Sequence, residues 1–209
     1  MKCRRCIIFA GWLALAVFSP IYAKEAHAFA LRDGDIVFTG SKAGQGAAIS
    51  AATGSPITHC GVVFRKEGKW MVLEAVQPVK ITKLEDFMMR ADKDTFAARR
   101  PKKDLTADAY QKAAKWAESQ LGLNYDVRFQ WDDKKLYCSE LVWKFYQQAG
   151  IEICTPRKFG DYKLDHPLVR KMIEERYGSI DRLPKDEMVV APSDLLASSK
   201  LIEVPRRAN

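Results

Sequence analysis

Apolar and polar positions follow two rhythms along this chain, a period of two in the first half and a period near 3.6 in the second. Leu31-Arg32-Asp33-Gly34-Asp35-Ile36-Val37-Phe38 reads as a turn feeding a short strand. The stretch 40–54 is rich in Gly, Ala and Ser, with a small helix expected at 47–52 and turn chemistry at Thr53-Gly54-Ser55-Pro56. Thr58-His59-Cys60-Gly61-Val62-Val63-Phe64, a turn at Lys66-Glu67-Gly68-Lys69, and Trp70-Met71-Val72-Leu73-Glu74-Ala75-Val76 form the clearest hairpin. Further strands are expected at 79–82 and 95–100, with a short helix at 84–90 between them. The rhythm then changes. From Thr106, a helix cap, the apolar residues Ala109, Tyr110, Ala113, Trp116, Ala117 and Leu121 share one face, and Gly122 terminates the run. A loop over 123–135 leads to a second helix, whose stripe of Leu141, Val142, Phe145, Tyr146 and Ala149 ends at Gly150. A basic amphipathic helix is expected at 167–177 and a short one at 193–198. Strands followed by helices imply an α+β domain.

The 209 residues suffice for one domain with a proper core, and no linker-like or repeated stretch divides them. The first 23 stand apart. Lys2, Arg4 and Arg5 precede an apolar run from Ile7 to Phe18, and Ile21-Tyr22-Ala23 offers a small-residue cleavage site, which together read as an export signal. The run is short for a membrane anchor. The expected organisation is therefore a signal at 1–23, a short linker at 24–30 and a single domain at 31–209, in a periplasmic or extracellular protein.

The net charge of +8 includes three positive residues in the signal, leaving 8 − 3 = +5 after it. The basic residues are interspersed with acidic ones, with no basic stripe interleaved with aromatics, so no nucleic-acid partner is expected. A mild positive balance suits anionic envelope surfaces, lipid or wall polymer, and allows peripheral membrane contact. Cys3 and Cys6 would leave with the signal. Cys60, Cys138 and Cys154 remain, an odd number that leaves at least one thiol unpaired even in an oxidising compartment; a Cys60–Cys154 bridge is one possible arrangement.

Cys138 falls in the first turn of its helix, where the dipole and unpartnered backbone N–H groups favour a thiolate. A buried cysteine at a helix start is also an ordinary core residue, so a base must be sought elsewhere. Of three histidines, His27 lies at the signal junction and His166 precedes Pro167 at a helix start, where capping explains it. His59 begins a buried strand. With a two- or four-residue hairpin loop, partner numbers sum to 135, so Gly61 faces Glu74 and Glu74 is the diagonal neighbour of His59 on the same face. An odd loop would remove the pair. A carboxylate there would fix the tautomer of the imidazole and stabilise its protonated form. Alternation points Cys60 to the opposite face, a core position, and Cys154 reads as structural. No CxxC or HxxxH spacing survives in the mature chain, so neither metal nor cofactor is expected.

Leu121-Gly122-Leu123-Asn124-Tyr125-Asp126 followed by Tyr137-Cys138-Ser139-Glu140-Leu141-Val142 resembles the Gly-x-x-Tyr loop and nucleophile helix of NlpC-type cell-wall peptidases. There the histidine strand follows the cysteine. Here Thr58-His59-Cys60-Gly61-Val62-Val63 precedes it, which resembles the circularly permuted branch of the papain-like superfamily, of the YiiX type. The resemblance extends from Leu31 to Ala191-Pro192-Ser193-Asp194-Leu195 and includes Gly34-Asp35-Ile36-Val37-Phe38.

This resemblance implies an antiparallel sheet or small barrel packed against helices, with Cys138 as nucleophile, His59 as base and Glu74 as the residue that orients it. Tyr137 and Glu140 replace the Asp and Gly usual in the wall peptidases, which separates the chain from their dipeptide specificity. Tyr137 would then be a second oxyanion donor or a packing residue. The expected activity is hydrolysis of an amide or ester in an envelope peptide or lipid. The alternatives are lipid acyl transfer, as in permuted lecithin retinol acyltransferase-like enzymes, and non-catalytic binding of wall fragments or lipids.

Overall fold

A computed structural model describes residues 28–207. The export signal, its cleavage site, Cys3, Cys6 and His27 lie outside the described residues. The elements in chain order are β1 (Ile36–Thr39), α1 (Gly44–Thr53), β2 (His59–Lys66), β3 (Lys69–Glu74), β4 (Lys80–Lys83), α2 (Leu84–Met89), β5 (Ala97–Pro101), α3 (Ala107–Ser119), α4 (Cys138–Gln148), β6 (Arg157–Lys158), α5 (Pro167–Tyr177), β7 (Met188–Val189), α6 (Pro192–Leu196) and β8 (Leu201–Glu203). Two short 3-10 turns accompany them.

Six strands form one antiparallel sheet in the order β4-β3-β2-β1-β5-β8, with β4 and β8 at its edges. Strand alternation divides its side chains between two cores. Ile36, Phe38, Cys60, Val62 and Leu73 face Ala113 and Ala117 of α3 and Leu141, Val142, Phe145 and Tyr146 of α4. Val37, Val63, Trp70, Val72 and Ala98 face Leu84, Phe87 and Met88 of α2. The nucleophile helix and the short α2 therefore cover opposite faces. The apolar stripe on α4 is what seats it: Leu141, Val142 and Tyr146 are fully buried, and Gly150 leaves the helix with φ +70°.

The β2–β3 hairpin has a two-residue turn, Glu67-Gly68, with both residues at positive φ, and its partners sum to 135, as in Val62↔Leu73. Gly61 permits the close pairing that follows, because a Cβ there would lie 2.7 Å from the Leu73 carbonyl oxygen. The expected helices occur with small shifts: Thr106 caps α3 by accepting from Ala109 N–H, and His166 caps α5 by accepting from Leu168 N–H. The short strands β6, β7 and β8 were not expected. At the end of the expected linker, Phe29 is buried, bridges to Arg206 and packs edge-on to Phe96. Among the described residues no helix is long and apolar enough to cross a membrane.

Candidate active site

Cys138 is the first residue of α4, buried, with Tyr137 as the extended residue before it. The segment that delivers it is fixed on both sides. Asp126 accepts from the N–H groups of Arg128 and Gln130, and Tyr125 bridges to Leu136. Ser139 Oγ donates to the Val190 carbonyl at 2.6 Å, and Val190 N–H donates to the Tyr137 hydroxyl at 3.2 Å. The helix start is thus held against the chain that precedes α6.

His59 begins β2, and its Nε2 lies 2.6 Å from Glu74 Oε2. Glu74 is fully buried, and its other oxygen accepts from Thr82 Oγ1 and Arg90 Nη2, each at 2.5 Å. Burial alone would raise this carboxyl, but the hydrogen bond and charge of His59, with Thr82 and Arg90, hold it at about 2. An ionised carboxylate only accepts, so Nε2 carries the proton and Nδ1 is the ring nitrogen left for the thiol. Phe87 packs on the imidazole with ring centroids 5.3 Å apart.

Burial disfavours the His59 cation, yet the Cys138 charge and hydrogen bond, joined by Glu74, raise its pKa to about 9. The Cys138 thiol moves the other way. A hydrogen bond from the Cys60 thiol lowers it, burial opposes, and the charge and hydrogen bond of His59 and the Cys60 backbone N–H lower it further, to well below the ordinary thiol range. Both shifts favour a thiolate on Cys138 and a protonated His59. Cys60 is core, as its strand position requires, and its thiol also favours the Cys138 thiolate, which its sequence position does not reveal; burial pushes its own pKa well up. Cys60, Cys138 and Cys154 are all free, so the Cys60–Cys154 bridge is absent.

Cys138 lines a cavity that is partly open to solvent. Its walls are apolar and aromatic, including Ile49 of α1, Val127 and Phe129 of the preceding loop, and Val169, Met172 and Ile173 of α5. Tyr137 is one of these walls: its ring packs edge-on to Phe129 at 5.2 Å, its hydroxyl takes the Val190 N–H, and burial pushes its pKa well up. Of the two roles expected for Tyr137, packing is the one its contacts describe, against the loop and the Val190 segment.

A different tyrosine keeps a proton to donate. Tyr125 lines the same cavity and its hydroxyl accepts from Gln45 Nε2 at 2.7 Å, leaving its own proton to give. Burial and then the Cys138 charge push its pKa well up, which keeps it protonated. Tyr125 stands in the Gly-x-x-Tyr run; Gln45, in a Gly- and Ala-rich stretch with no apolar periodicity, gave no signal. His166 and Cys154 lie outside this group: His166 caps α5, and the Cys154 carbonyl accepts from the Trp143 indole.

A buried cysteine at a helix start whose pKa is lowered by a histidine, with a buried carboxylate bonded to that histidine, is the arrangement of a papain-like thiol hydrolase, here on a chain in which the histidine strand comes first. Residues 30–204 match the model of the permuted papain-like amidases, the YaeF/YiiX C92 family, and the chain belongs to that family. It is 35% identical over 193 residues to the protein of Escherichia coli strain K12 called uncharacterized protein YiiX, covering 92% of this chain and 95% of that one. A crystal structure from Escherichia coli O157:H7, described as the metalloprotein YiiX, is similar with a TM-score of 0.77 at 36% identity, covering 85% of this chain and 98% of that one. The chain is accordingly a cysteine hydrolase of the amidase type.

Proposed function

We propose that this hydrolase cleaves an amide or ester that carries a long apolar acyl group, with Cys138 as nucleophile, His59 as acid and base, and Glu74 as the residue that orients and charges His59. The observation that carries the substrate class is the apolar cavity at Cys138. A wall stem peptide would bring several charged groups into that cavity, more than the single Arg176 side chain on its walls could pair, and burying the rest costs several kcal/mol or more; an acyl chain is favoured there by about 0.8 kcal/mol per buried CH₂.

The Cys138 thiolate attacks the acyl carbonyl carbon, and the carbonyl electron pair moves to oxygen. The backbone N–H of Cys138, which has no acceptor within its helix, and the Tyr125 hydroxyl donate to that oxyanion. Collapse expels the leaving amine or alcohol, which takes the His59 proton, and the acyl group remains as a thioester. His59, now neutral, removes a proton from water as it attacks the thioester, and Cys138 leaves as thiolate. Glu74 stays ionised throughout.

The relative described as a metalloprotein raises the question of a metal here. Among the described residues no group of three or more His, Cys, Asp or Glu side chains is arranged to hold one, and His59, the histidine that acts on Cys138, is engaged with Glu74. The donor set does not fit, and no step is routed through a metal. The basic n-region, apolar run and Ala23 site support export, which would place the enzyme among envelope lipids.

The test is turnover of palmitoyl amides and esters compared with muropeptides, for wild type and Cys138→Ala. Cleavage of the palmitoyl substrates that is lost in a folded Cys138→Ala protein is expected. Cleavage of muropeptides alone would reverse the substrate class.

A further inference from the structure

Arg176 is out of keeping with the cavity it lines. Among the described residues it is the one Asp, Glu, Lys, Arg or His side chain on those walls, which it shares with Cys138. It sits in the last turn of α5, where the helix dipole favours a cation, and its guanidinium lies 5.2 Å over the Phe129 ring. Nη1 donates to the Val127 carbonyl and Nη2 to Gln45 Oε1, both at 2.6 Å. Both acceptors are neutral, and they use two of the five N–H donors of the fork. Among the described residues no carboxylate lies within ion-pair distance of it, whereas Arg90, Arg99, Arg100 and Arg157 each have one. Glu175 and Asp126 act on it only through space.

Its place relative to the chemistry is also fixed. Gln45, which accepts from Arg176, donates to the Tyr125 hydroxyl, and Tyr125 feels the Cys138 charge. The guanidinium therefore shares a cavity wall with Cys138 and lies two hydrogen bonds from the Tyr125 hydroxyl. A cation in an apolar wall without a counter-ion is costly, and an anion on the substrate would complete it with charge-assisted, bidentate contacts.

We infer that Arg176 is a specificity residue that selects acyl substrates bearing an anionic group, a carboxylate or a phosphate, close to the scissile bond. This rests on the acyl-substrate reading and adds the chemistry of the head group: the chain fills the apolar cavity while the anion meets the free N–H groups of Arg176. A role confined to pinning Val127 and Gln45 would affect neutral and anionic substrates alike.

The experiment uses two matched pairs, N-palmitoylglycine against N-palmitoylglycinamide and lysophosphatidate against monopalmitoylglycerol, with wild type and Arg176→Gln. The readout is the ratio of kcat/KM within each pair. Wild type is expected to favour the anionic member of at least one pair by about tenfold or more, the scale of one charge-assisted contact, with Arg176→Gln bringing that ratio near one. The pair that responds separates carboxylate from phosphate. Equal rates within both pairs, or a preference that survives in Arg176→Gln, would overturn the inference and leave the acyl reading standing. Binding of the same four compounds to Cys138→Ala by calorimetry gives the ratio independently of turnover. Anion preference in binding, lost on adding Arg176→Gln, would support the inference even if none of the four is cleaved, an outcome that would count against the acyl-hydrolase reading alone; no preference in binding either would overturn both.

Discussion

Glu74 carries more of the site than its single bond to His59 suggests. A fully buried carboxylate with three donors is stable only while all three are in place, and one of the three is the imidazole that its charge helps keep protonated. Glu74→Gln keeps the size of the side chain and removes the charge. The imidazolium then loses a stabilising partner, and kcat is expected to fall by about 10²-fold while the protein remains folded, as steady-state kinetics and circular dichroism would show. The same residue shapes acid stability. Its folded pKa of about 2 lies below the ordinary 4.5, so its contribution is complete above that ordinary value and disappears as pH falls toward 2. His59 has its pKa raised from 6.5 to about 9, so its contribution is complete below 6.5 and is lost as pH rises through 9. Urea midpoints measured against pH should show a shallower acid limb in Glu74→Gln; an unchanged acid limb would remove Glu74 from the balance.

Alternation and hairpin register are local rules, and they place His59 and Glu74 on one face from the sequence alone. Thr82 and Arg90 come from β4 and α2, whose docking no local rule specifies, so the second half of the carboxylate's shell was invisible. Cys60 shows the same limit. Its strand position put it on the face opposite Glu74, and only the packing of α4 reveals that this is the face that Cys138 packs against.

Among the elements, the β2–β3 hairpin is the one whose geometry the site depends on. Gly61 stands opposite Glu74 by the hairpin's register, and a Cβ there would lie 2.4 Å from Val72 Cγ1 and 2.7 Å from the Leu73 oxygen, a backbone atom that cannot swing away. Gly61→Ala is therefore expected to cost about 1–3 kcal/mol in urea unfolding and to reduce activity by moving Glu74. A variant with wild-type stability and rate would show that the hairpin tolerates a shift the geometry does not allow. Long periodic segments such as α3 and α4, and the hairpin with its Glu67-Gly68 turn, were legible because each repeats its period several times. β6, β7 and β8 have two or three residues each, too few to carry a period, and exist because a partner strand is already present.

At the scale of the whole molecule, the cavity is assembled from α1, the 123–135 loop, α5 and the chain before α6, segments spread over about 140 residues. The amphipathic face of α5 turns Val169, Met172 and Ile173 toward that cavity. The histidine strand precedes the cysteine helix, yet β2 and α4 pack together, and the proposed mechanism makes His59 and Cys138 a pair. The central claim is that this pair rests as thiolate and imidazolium. It is tested by the rate at which a small alkylating reagent modifies Cys138 between pH 4 and 8, mapped by mass spectrometry, in wild type and His59→Ala. Fast modification at pH 5 that slows in His59→Ala is the expected result, since an unassisted thiol ionises near ~8.5. Slow modification at pH 5 in wild type, or no change on removing His59, would contradict the account.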